Sequence, residues 1–283
     1  MRLGFHLPIA GGLLQAVAVA RSLGLECLQI FAGNPRSWSQ RPLDEALARE
    51  FGRQAGQAGL HPVSVHAPYL INLASPQEDL WQRSVAGLAG QLRRAKALGA
   101  QAVVVHPGSR GDRSLAWGLE RVAVGVAQAL EQAGPGAACW LENTAGGGGQ
   151  MGGTLSQLAW LLGRLRGQDV GVCLDTAHAY AAGYRLENQA AVGRFLDRVQ
   201  ALVGLERVGL WHFNDTPHVR GGHRDQHTHL GRGRLGRGAF GALLADGRLA
   251  RAAAVMETPK DSRWSDRRNL AFLRRLQRQI CNG

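Results

Sequence analysis

Asp175 and His178 follow an apolar run and form a first candidate pair of metal ligands. The run itself, residues 170–174, requires burial on both faces, as in a parallel sheet, and such sheets keep their ligand sites at the carboxyl ends of the strands. His178 lies one helical turn beyond Asp175, so the two side chains can enter one cavity at different points, which suits two metal ions. Alone, this spacing is more typical of a helix N-cap followed by a surface histidine, so the metal interpretation depends on its recurrence.

The pattern does recur, because seven of eight predicted strands carry His, Asp or Glu at or near their carboxyl ends. Apolar runs predict strands over residues 3–7, 27–31, 63–66, 102–106, 138–142, 170–175, 208–214 and 253–257. The side chains at these ends are His6, Phe31, His66, His106, Glu142, Asp175, His212 and Glu257. Asp and Glu total only 21 of the 283 residues and His 10, so chance does not account for their concentration there.

Amphipathic segments between the strands predict an α/β fold, a TIM (β/α)8 barrel with residues 1–283 as a single domain. Helical patterns cover residues 13–23, 43–58, 85–98, 115–133, 155–165, 190–203 and 269–280. An open doubly wound sheet is the alternative. It requires a glycine-rich phosphate loop after the first strand, and residues 10–12 (AGG) match such a loop poorly.

The strand-end side chains of a barrel converge on one cavity, and their types predict that this cavity holds metal ions. Several carboxylates and imidazoles in one enclosed place would repel or stay unsatisfied unless cations neutralise the acids. Carboxylate and imidazole without thiolate suit zinc, manganese or iron, and zinc is preferred on ligand type. The ligands predicted at the strand ends are His66, His106, Glu142, Asp175, His212 and Glu257. His6 is expected only to hydrogen-bond within the barrel mouth.

A long, histidine-rich loop after the seventh predicted strand supplies further candidate ligands. Asp225 and His227 are separated by one residue, so in an extended segment both point the same way and can complete another metal site with His178. His229 has the same parity as His227, and spacing alone leaves the choice between these two histidines open.

The charge of the chain favours a polyanionic partner, with nucleic acid as the first candidate. The net charge is +12, from 33 basic and 21 acidic residues. Only Lys96 and Lys260 among the basic residues are lysine. A genomic bias can explain the choice of arginine over lysine, but it does not explain the surplus over the acids.

The sequence predicts a cytoplasmic protein without a membrane span. It has no run of 18 apolar residues, and the short apolar stretch 13–20 lacks the basic start and cleavage site of a signal peptide. The cysteines, Cys27, Cys139, Cys173 and Cys281, have no C-x-x-C spacing. Three of them lie in apolar, strand-like runs, which indicates reduced, buried thiols rather than disulfides.

Over essentially its full length, the chain resembles the endonuclease IV family of abasic-site DNA repair enzymes. The motifs that carry the resemblance are GFHL at 4–7, AGG at 10–12, NPRSW at 34–38, HAPYLINL at 66–73, VHPGS at 105–109, LENTAG at 141–146, CLDTAHA at 173–179, HFND at 212–215, DQH at 225–227 and MET at 256–258. The resemblance implies a TIM barrel with three Zn²⁺ ions per chain, with Mn²⁺ as an alternative at one position. The implied ligands are His66, His106 and Glu142 for the first ion, Glu142, Asp175, His212 and Glu257 for the second, and His178, Asp225 and His227 for the third. It therefore selects His227 over His229.

The same resemblance implies an activity and a partner. The expected enzyme is a monomer that cuts double-stranded DNA on the 5′ side of an abasic site, leaving a 3′-hydroxyl and a 5′-deoxyribose phosphate, and that also removes blocking groups from 3′ ends. Two metals sharing Glu142 would hold a bridging hydroxide as nucleophile, and Glu257 would orient it. Arg36 and Tyr69 are the candidates to insert into the DNA, because a guanidinium and a phenol ring both stack on exposed bases.

Two other functions compete with this interpretation. A sugar isomerase or epimerase uses a similar barrel with Glu, Asp, His and Glu as ligands, but it needs one metal and leaves the remaining candidate ligands unexplained. A metal-stabilised DNA-binding module without catalysis would not need shared carboxylates in the mouth of a barrel. The basic charge also argues against the isomerase.

Overall fold

The computed structural model describes residues 1–281 and shows a closed barrel of eight parallel strands. The strands are β1 (Arg2–Leu7), β2 (Cys27–Phe31), β3 (Val63–His66), β4 (Ala102–Val105), β5 (Ala138–Glu142), β6 (Val170–Asp175), β7 (Val208–His212) and β8 (Ala253–Met256). Each strand pairs with the next, and β8 pairs with β1, so the sheet has no free edge. The predicted TIM barrel and its eight strands are confirmed.

Helices surround the barrel and bury their apolar faces against it. Within the described residues they are α1 (Leu13–Leu23), α2 (Glu45–Gln57), α3 (Glu78–Ala97), α4 (Leu115–Ala133), α5 (Leu155–Arg164), α6 (Thr176–Ala181), α7 (Gln189–Leu202), α8 (Gly236–Ala245) and α9 (Ser265–Cys281). Side-chain oxygens begin several of them: Asp44, Ser114, Thr154 and Asn188 accept N–H groups of the first turn of α2, α4, α5 and α7.

Three strands end earlier than the sequence predicts. Strand β4 stops before His106, where Pro107 lacks an N–H group for the ladder, and β7 stops at His212 instead of continuing to residue 214. Strand β8 stops before Glu257, because the Glu257 N–H donates to the side chain of Asn214 (2.8 Å) rather than to a neighbouring strand. His106 and Glu257 therefore lie on the first residues of loops.

Two helices, α6 and α8, are absent from the sequence prediction, and α9 begins four residues before the predicted start. Helix α6 is a single short stretch directly after β6, capped by the Asp175 side chain, which accepts the His178 N–H at 2.8 Å. Helix α8 contains three glycines, which have low helix propensity, so its sequence gives a weak helical signal. Burial of Ala239, Phe240 and Leu243 stabilises it through tertiary packing.

An apolar layer fills the inside of the barrel below the strand ends. This inner apolar layer consists of Cys27, Val104, Cys173, Leu210, Ala253 and Val255, with the Trp140 ring packed against it. Side chains alternate along a strand, so the residue two positions further on also points inward. For Trp140 that residue is Glu142, and for Cys173 it is Asp175. The layer therefore forms the floor of the cavity that the strand ends enclose.

The cysteines agree with the prediction of reduced, buried thiols where the structure describes them. Cys27, Cys139 and Cys173 are buried and free, and burial raises the pKa of Cys139 and Cys173 to about 12. The side chain of Cys281 lies outside the described part of the chain. Within residues 1–281, no helix combines the length and the apolar character that a membrane crossing requires.

The Trp140 ring lies close to Gly171 and Gly209, and this close approach generates a stability prediction. A Cβ atom at Gly209 would lie 2.3 Å from Cε2 of the Trp140 ring. We expect Gly209→Ala to destabilise the protein by about 1–3 kcal/mol, because the half-buried Trp140 ring packs against the inner apolar layer and cannot move without disturbing it. Urea unfolding followed by circular dichroism measures the change.

The matched control is Gly193→Ala in α7, where an added Cβ meets open space. Removing a helix glycine there should stabilise the protein by about 0.5–1 kcal/mol. Equal midpoints for Gly209→Ala and the unaltered protein would contradict the packing described for Trp140.

Candidate metal centre

The centre of the barrel mouth is Glu142, the last residue of β5, whose side chain is fully buried. One carboxylate oxygen, Oε2, lies 3.2 Å from His66 Nε2 and 3.5 Å from His106 Nε2. The other, Oε1, lies 2.9 Å from His212 Nδ1 and 3.3 Å from His178 Nδ1. Glu142 thus faces imidazoles from four different segments, with one pair on each oxygen.

The residues around Glu142 form three groups whose candidate ligand atoms lie within 4.8 Å of one another. The groups are His66, His106 and Glu142; Glu142, Asp175, His212 and Glu257; and Asp175, His178 and His227. The first two have the composition predicted for the first and second ions. The shared carboxylates, Glu142 and Asp175, link the three groups into one cluster.

The third group differs in detail from the predicted set of His178, Asp225 and His227. Asp225 does approach it, with Oδ1 3.0 Å from His178 Nε2 and 3.7 Å from His227 Nε2, but its side chain is half exposed. Asp175 Oδ2 also lies 3.5 Å from His227 Nε2. A buried carboxylate at the end of β6 therefore borders this group in addition to the loop carboxylate.

His227 and His229 point to different places. His229 Nε2 lies 2.9 Å from Asp261 Oδ2, and its Nδ1 lies 3.0 Å from the side-chain amide of Asn269, on the side of the loop that faces α9. The loop between β7 and α8 is held by Asp215, whose carboxylate accepts N–H groups from Gly231, Gly233, Leu235 and Gly236. This anchor fixes the loop that carries Asp225 and His227.

Each of three histidines in the cluster uses one ring nitrogen to hold its orientation and turns the other toward an acid, which for His178 is Asp225; the Nδ1 atom of His178 also lies near Glu142. Nδ1 of His66 is 2.8 Å from the Ala67 carbonyl oxygen, and Nδ1 of His178 is 3.0 Å from the Asn143 carbonyl oxygen. His212 is reversed, with Nε2 3.0 Å from Gln29 Oε1. Such contacts select the tautomer and aim the remaining nitrogen, as the outer contacts of metal-bound histidines do.

Three amides that sequence reasoning missed support the cluster. Gln29 Nε2 donates to Glu257 Oε1 (2.8 Å), and Asn214 Nδ2 donates to Asp175 Oδ2 (2.6 Å). Asn143 accepts the Asp175 N–H at 2.6 Å. The sequence does single out Gln29 as a polar residue within an apolar strand. Its side chain points to the same, inward side of β2 as those of Cys27 and Phe31.

His6 lies at the rim of the cluster and outside all three groups. Its Nδ1 is 3.1 Å from Glu257 Oε1 and 3.0 Å from Gln29 Nε2, so it hydrogen-bonds within the barrel mouth. Its ring also packs on Phe31, with 4.4 Å between ring centroids.

The electrostatics of the cluster keep its acids ionised. Burial would raise the pKa of Glu142, but the facing His106 and His212 hold that pKa well below its usual range. Burial opposes ionisation of Glu257 in the same way, and His212 together with the hydrogen bond to His6 lowers its pKa well below the usual value. Ionised, buried carboxylates need compensating positive charge, which imidazolium protons or metal ions can supply.

The donor set fits metal ions. The ring atoms His178 Nε2, His227 Nε2 and His106 Nδ1 are buried and make no hydrogen bond within the described residues, although buried polar atoms are nearly always paired. The first two of these atoms border the third group. Imidazole nitrogens and carboxylate oxygens without thiolate are ligands typical of zinc and manganese.

The cluster opens to the surface through two adjoining cavities. One, of about 330 Å³, is lined by His6, Phe31, His227, Glu257 and Lys260 among others, and the second, of about 260 Å³, extends past Ser109 and Gln150. Tyr69 borders both and is 65% exposed. Arg36 is exposed on the neighbouring loop, and the Tyr69 N–H donates to the Pro35 carbonyl oxygen (3.2 Å), so the two predicted DNA-binding residues lie on adjoining loops.

Comparisons with known proteins agree with this architecture. Residues 17–276 match the family described as the xylose isomerase-like TIM barrel. A protein of Natranaerobius thermophilus named probable endonuclease 4 is 38% identical over 277 residues, which cover 98% of each chain. Endonuclease IV from Thermus thermophilus has a crystal structure with a TM-score of 0.89 and 41% identity, covering 99% of this chain and 100% of that one. A 3-keto-D-glucoside 4-epimerase from E. coli, with a TM-score of 0.70 at 17% identity over 98% and 99% of the two chains, shows the shared fold alone.

The contacts of Gln29 generate a prediction for metal affinity. Gln29→Met keeps the side-chain length but removes the acceptor for His212 and the donor to Glu257. We expect metal affinity at the second group to fall about 10- to 100-fold, because a ligand histidine loses the contact that selects its tautomer. Competition with a chromophoric chelator measures this. Gln82→Met, on the exposed face of α3, is the control, and equal affinities for the two variants would remove Gln29 from the support of the cluster.

Proposed function

The chain belongs to the endonuclease IV family of xylose isomerase-like TIM barrels, and from that premise we propose that it is a DNA repair endonuclease acting at abasic sites. Its substrate is double-stranded DNA that contains an abasic nucleotide. It hydrolyses the phosphodiester on the 5′ side, leaving a 3′-hydroxyl and a 5′-deoxyribose phosphate, and it removes blocking groups from 3′ ends. Three metal ions per chain, zinc with Mn²⁺ as an alternative at one position, serve this reaction.

The observation that carries the proposal is the position of Glu142 between two groups of ligands. Its two oxygens face different histidine pairs, His66 and His106 on one side and His212 and His178 on the other. A carboxylate with this surrounding would serve two neighbouring ligand groups at once, and paired metal ions held there would supply the chemistry that many phosphodiester-cleaving enzymes use. We assign the three ions to the ligand sets that the family resemblance implies, with Asp225 completing the third.

Metal ions held there would supply positive charge for the phosphate and activate a water molecule. The chain itself positions Glu257 to act on that water. Gln29 and Asn214 hold its two oxygens, at 2.8 and 3.3 Å, while about a fifth of the side chain faces the mouth. With its pKa well below the usual range, Glu257 is ionised at neutral pH and can orient the attacking water through a carboxylate oxygen.

The surface of the chain supports a DNA substrate. The net charge of +12 favours a polyanion, and the counterions that its arginines would displace give the binding a steep salt dependence. We assign Arg36 and Tyr69 to the DNA, where they stack on bases exposed when the abasic nucleotide leaves the helix. We further propose a monomer that acts in the cytoplasm, a reducing compartment that suits its free thiols.

A sugar epimerase remains the rival enzyme, because such enzymes share this fold. An epimerase needs one metal ion, and one ligand group would be enough to bind it: Glu142, Asp175, His212 and Glu257. His66, His106, His178 and His227 would then have no role, although a ring nitrogen of each lies within 3.5 Å of Glu142 or Asp175. These surplus ligands favour the nuclease.

The proposal is tested by Glu257→Gln, which removes the negative charge that orients the water but keeps the side-chain shape. Single-turnover incision of an abasic duplex should fall at least about 100-fold, and DNA affinity should stay within about twofold, because the change affects the nucleophile and leaves the DNA contacts intact. Glu206→Gln, exposed at the opposite end of the barrel, is the control. Incision by Glu257→Gln near the rate of the unaltered protein would remove Glu257 from the mechanism.

A second prediction concerns recognition of the lesion. Replacing both Arg36 and Tyr69 by alanine should cost about 2–4 kcal/mol in discrimination of abasic over intact duplex, roughly one stacking contribution per residue. Both side chains are exposed, so metal content should not change. The measurement is the ratio of kcat/KM on abasic duplex to kcat/KM on a 3′-phosphate end. An equal loss on both substrates would identify the pair as general clamps and contradict their role in opening the helix.

A further inference from the structure

A large basic pocket lies beside the metal centre and has no part in the reaction described above. Its volume is about 800 Å³, within the range of ligand-binding sites. Arginines from two segments distant in sequence line it, Arg232 from the loop before α8 and Arg267, Arg268 and Arg275 from α9. Leu230 and Phe272 contribute apolar surface, and Trp264 stands at one side. We call this the arginine pocket.

The charge in the arginine pocket is largely uncompensated. Among the described residues, no carboxylate lies within ion-pair distance of Arg232, Arg267 or Arg275. The one acid in the lining, Asp261, is already engaged by His229 at 2.9 Å and by Arg268 at 3.5 Å. Several unpaired guanidinium groups around one concave surface fit a ligand with more than one negative charge.

Trp264 adds a second recognition element. Its side chain is 47% exposed, although an indole of this size is usually covered. Two guanidinium groups lie over the ring, Arg263 at 4.9 Å and Arg267 at 5.4 Å from the ring centroid, so a base that stacks on Trp264 takes the place of one of them. An exposed aromatic ring next to arginines is typical of surfaces that bind single-stranded nucleic acid, with bases stacked on the ring and phosphates on the cations.

The lining of the arginine pocket adjoins that of the barrel mouth along two segments of the chain. Thr258 and Lys260 line the mouth, and the next residue, Asp261, lines the pocket. Likewise His227 lines the mouth, and His229, at most about 7 Å further along the chain, lines the pocket. A DNA strand advances about 3.4 Å per nucleotide, so a strand with a phosphate at the metal centre reaches the pocket within a few nucleotides.

From these observations, and resting on the proposed function, we propose that the arginine pocket binds an unpaired nucleotide of the DNA strand that runs past the metal centre. A base stacks on Trp264, and neighbouring phosphates contact Arg232, Arg267 and Arg275. The pocket therefore gives the protein affinity for single-stranded DNA next to the site of incision, independent of the residues that bind metal.

The test uses the metal-loaded protein and an oligothymidylate of about ten nucleotides, fluorescein-labelled and phosphorothioate-protected at its 3′ end, with affinity measured by fluorescence anisotropy. Trp264→Ala should weaken binding roughly tenfold, as expected for one lost base stack, and Trp264→Phe should retain most of the affinity. Replacing Arg267 and Arg275 together by alanine should reduce the slope of log affinity against log salt by about 1.4, since each phosphate contact on a single strand contributes about 0.7.

The matched control replaces Arg166 and Arg251 by alanine, with the same change in net charge. Both are exposed and precede β6 and β8, at the end of the barrel opposite the mouth. Unchanged affinity of Trp264→Ala, or an equal loss in the control, would overturn the proposal, as would tighter binding of an oligouridylate of the same length, which would indicate an RNA ligand. Thermal unfolding of each variant checks that the fold is intact.

Incision of an abasic duplex separates this proposal from the proposed function. If the protein incises the duplex but Trp264→Ala binds the oligothymidylate normally, the pocket proposal alone fails. If no incision occurs while oligothymidylate binding still depends on Trp264, the repair function fails and the pocket stands.

Discussion

A single buried carboxylate, Glu142, is the constraint on which the rest of the structure depends. It has no exposure to solvent and stays ionised, so it must be surrounded by positive charge or hydrogen-bond donors. Those partners come from β3, the end of β4, β7 and α6, which are distant in sequence. Only closure of the sheet brings these partners together. The barrel therefore allows the buried, ionised Glu142 to be stabilised by several imidazoles.

The inner apolar layer stabilises the barrel, and the polar cluster above it, at the carboxyl ends of the same strands, carries the chemistry. The inner apolar layer is packed around Trp140, and the next inward residue of most strands belongs to the polar cluster. The amides Gln29, Asn143 and Asn214 hydrogen-bond to groups of the polar cluster and fix the orientations of His212, Asp175 and Glu257. Loops carry Asp225, Arg36 and Tyr69, the groups that we assign to the third ion and to the DNA.

The sequence was sufficient to predict the barrel and the residues at its strand ends, because strand periodicity and the shared carboxyl edge are local, repeated signals. It could not predict the contacts of Gln29 and Asn214, since an amide at an inward strand position gives no sign of its hydrogen-bond partners across the barrel. Helix α8 escaped prediction because its glycines weaken the local signal and tertiary packing supplies its stability. The arginine pocket was hidden for a further reason: Arg232 and Arg275 become neighbours only when the loop before α8 packs on α9.

The central claim, that the strand ends assemble one centre for three metal ions, is tested most directly by elemental analysis of the purified protein after loosely bound metal has been removed. The account predicts three ions per chain, with zinc predominant, and incision of abasic DNA that declines as ions are withdrawn by a chelator. One ion per chain together with full incision activity would contradict it, because the ligand groups around His66 and His178 would then have no cation to bind.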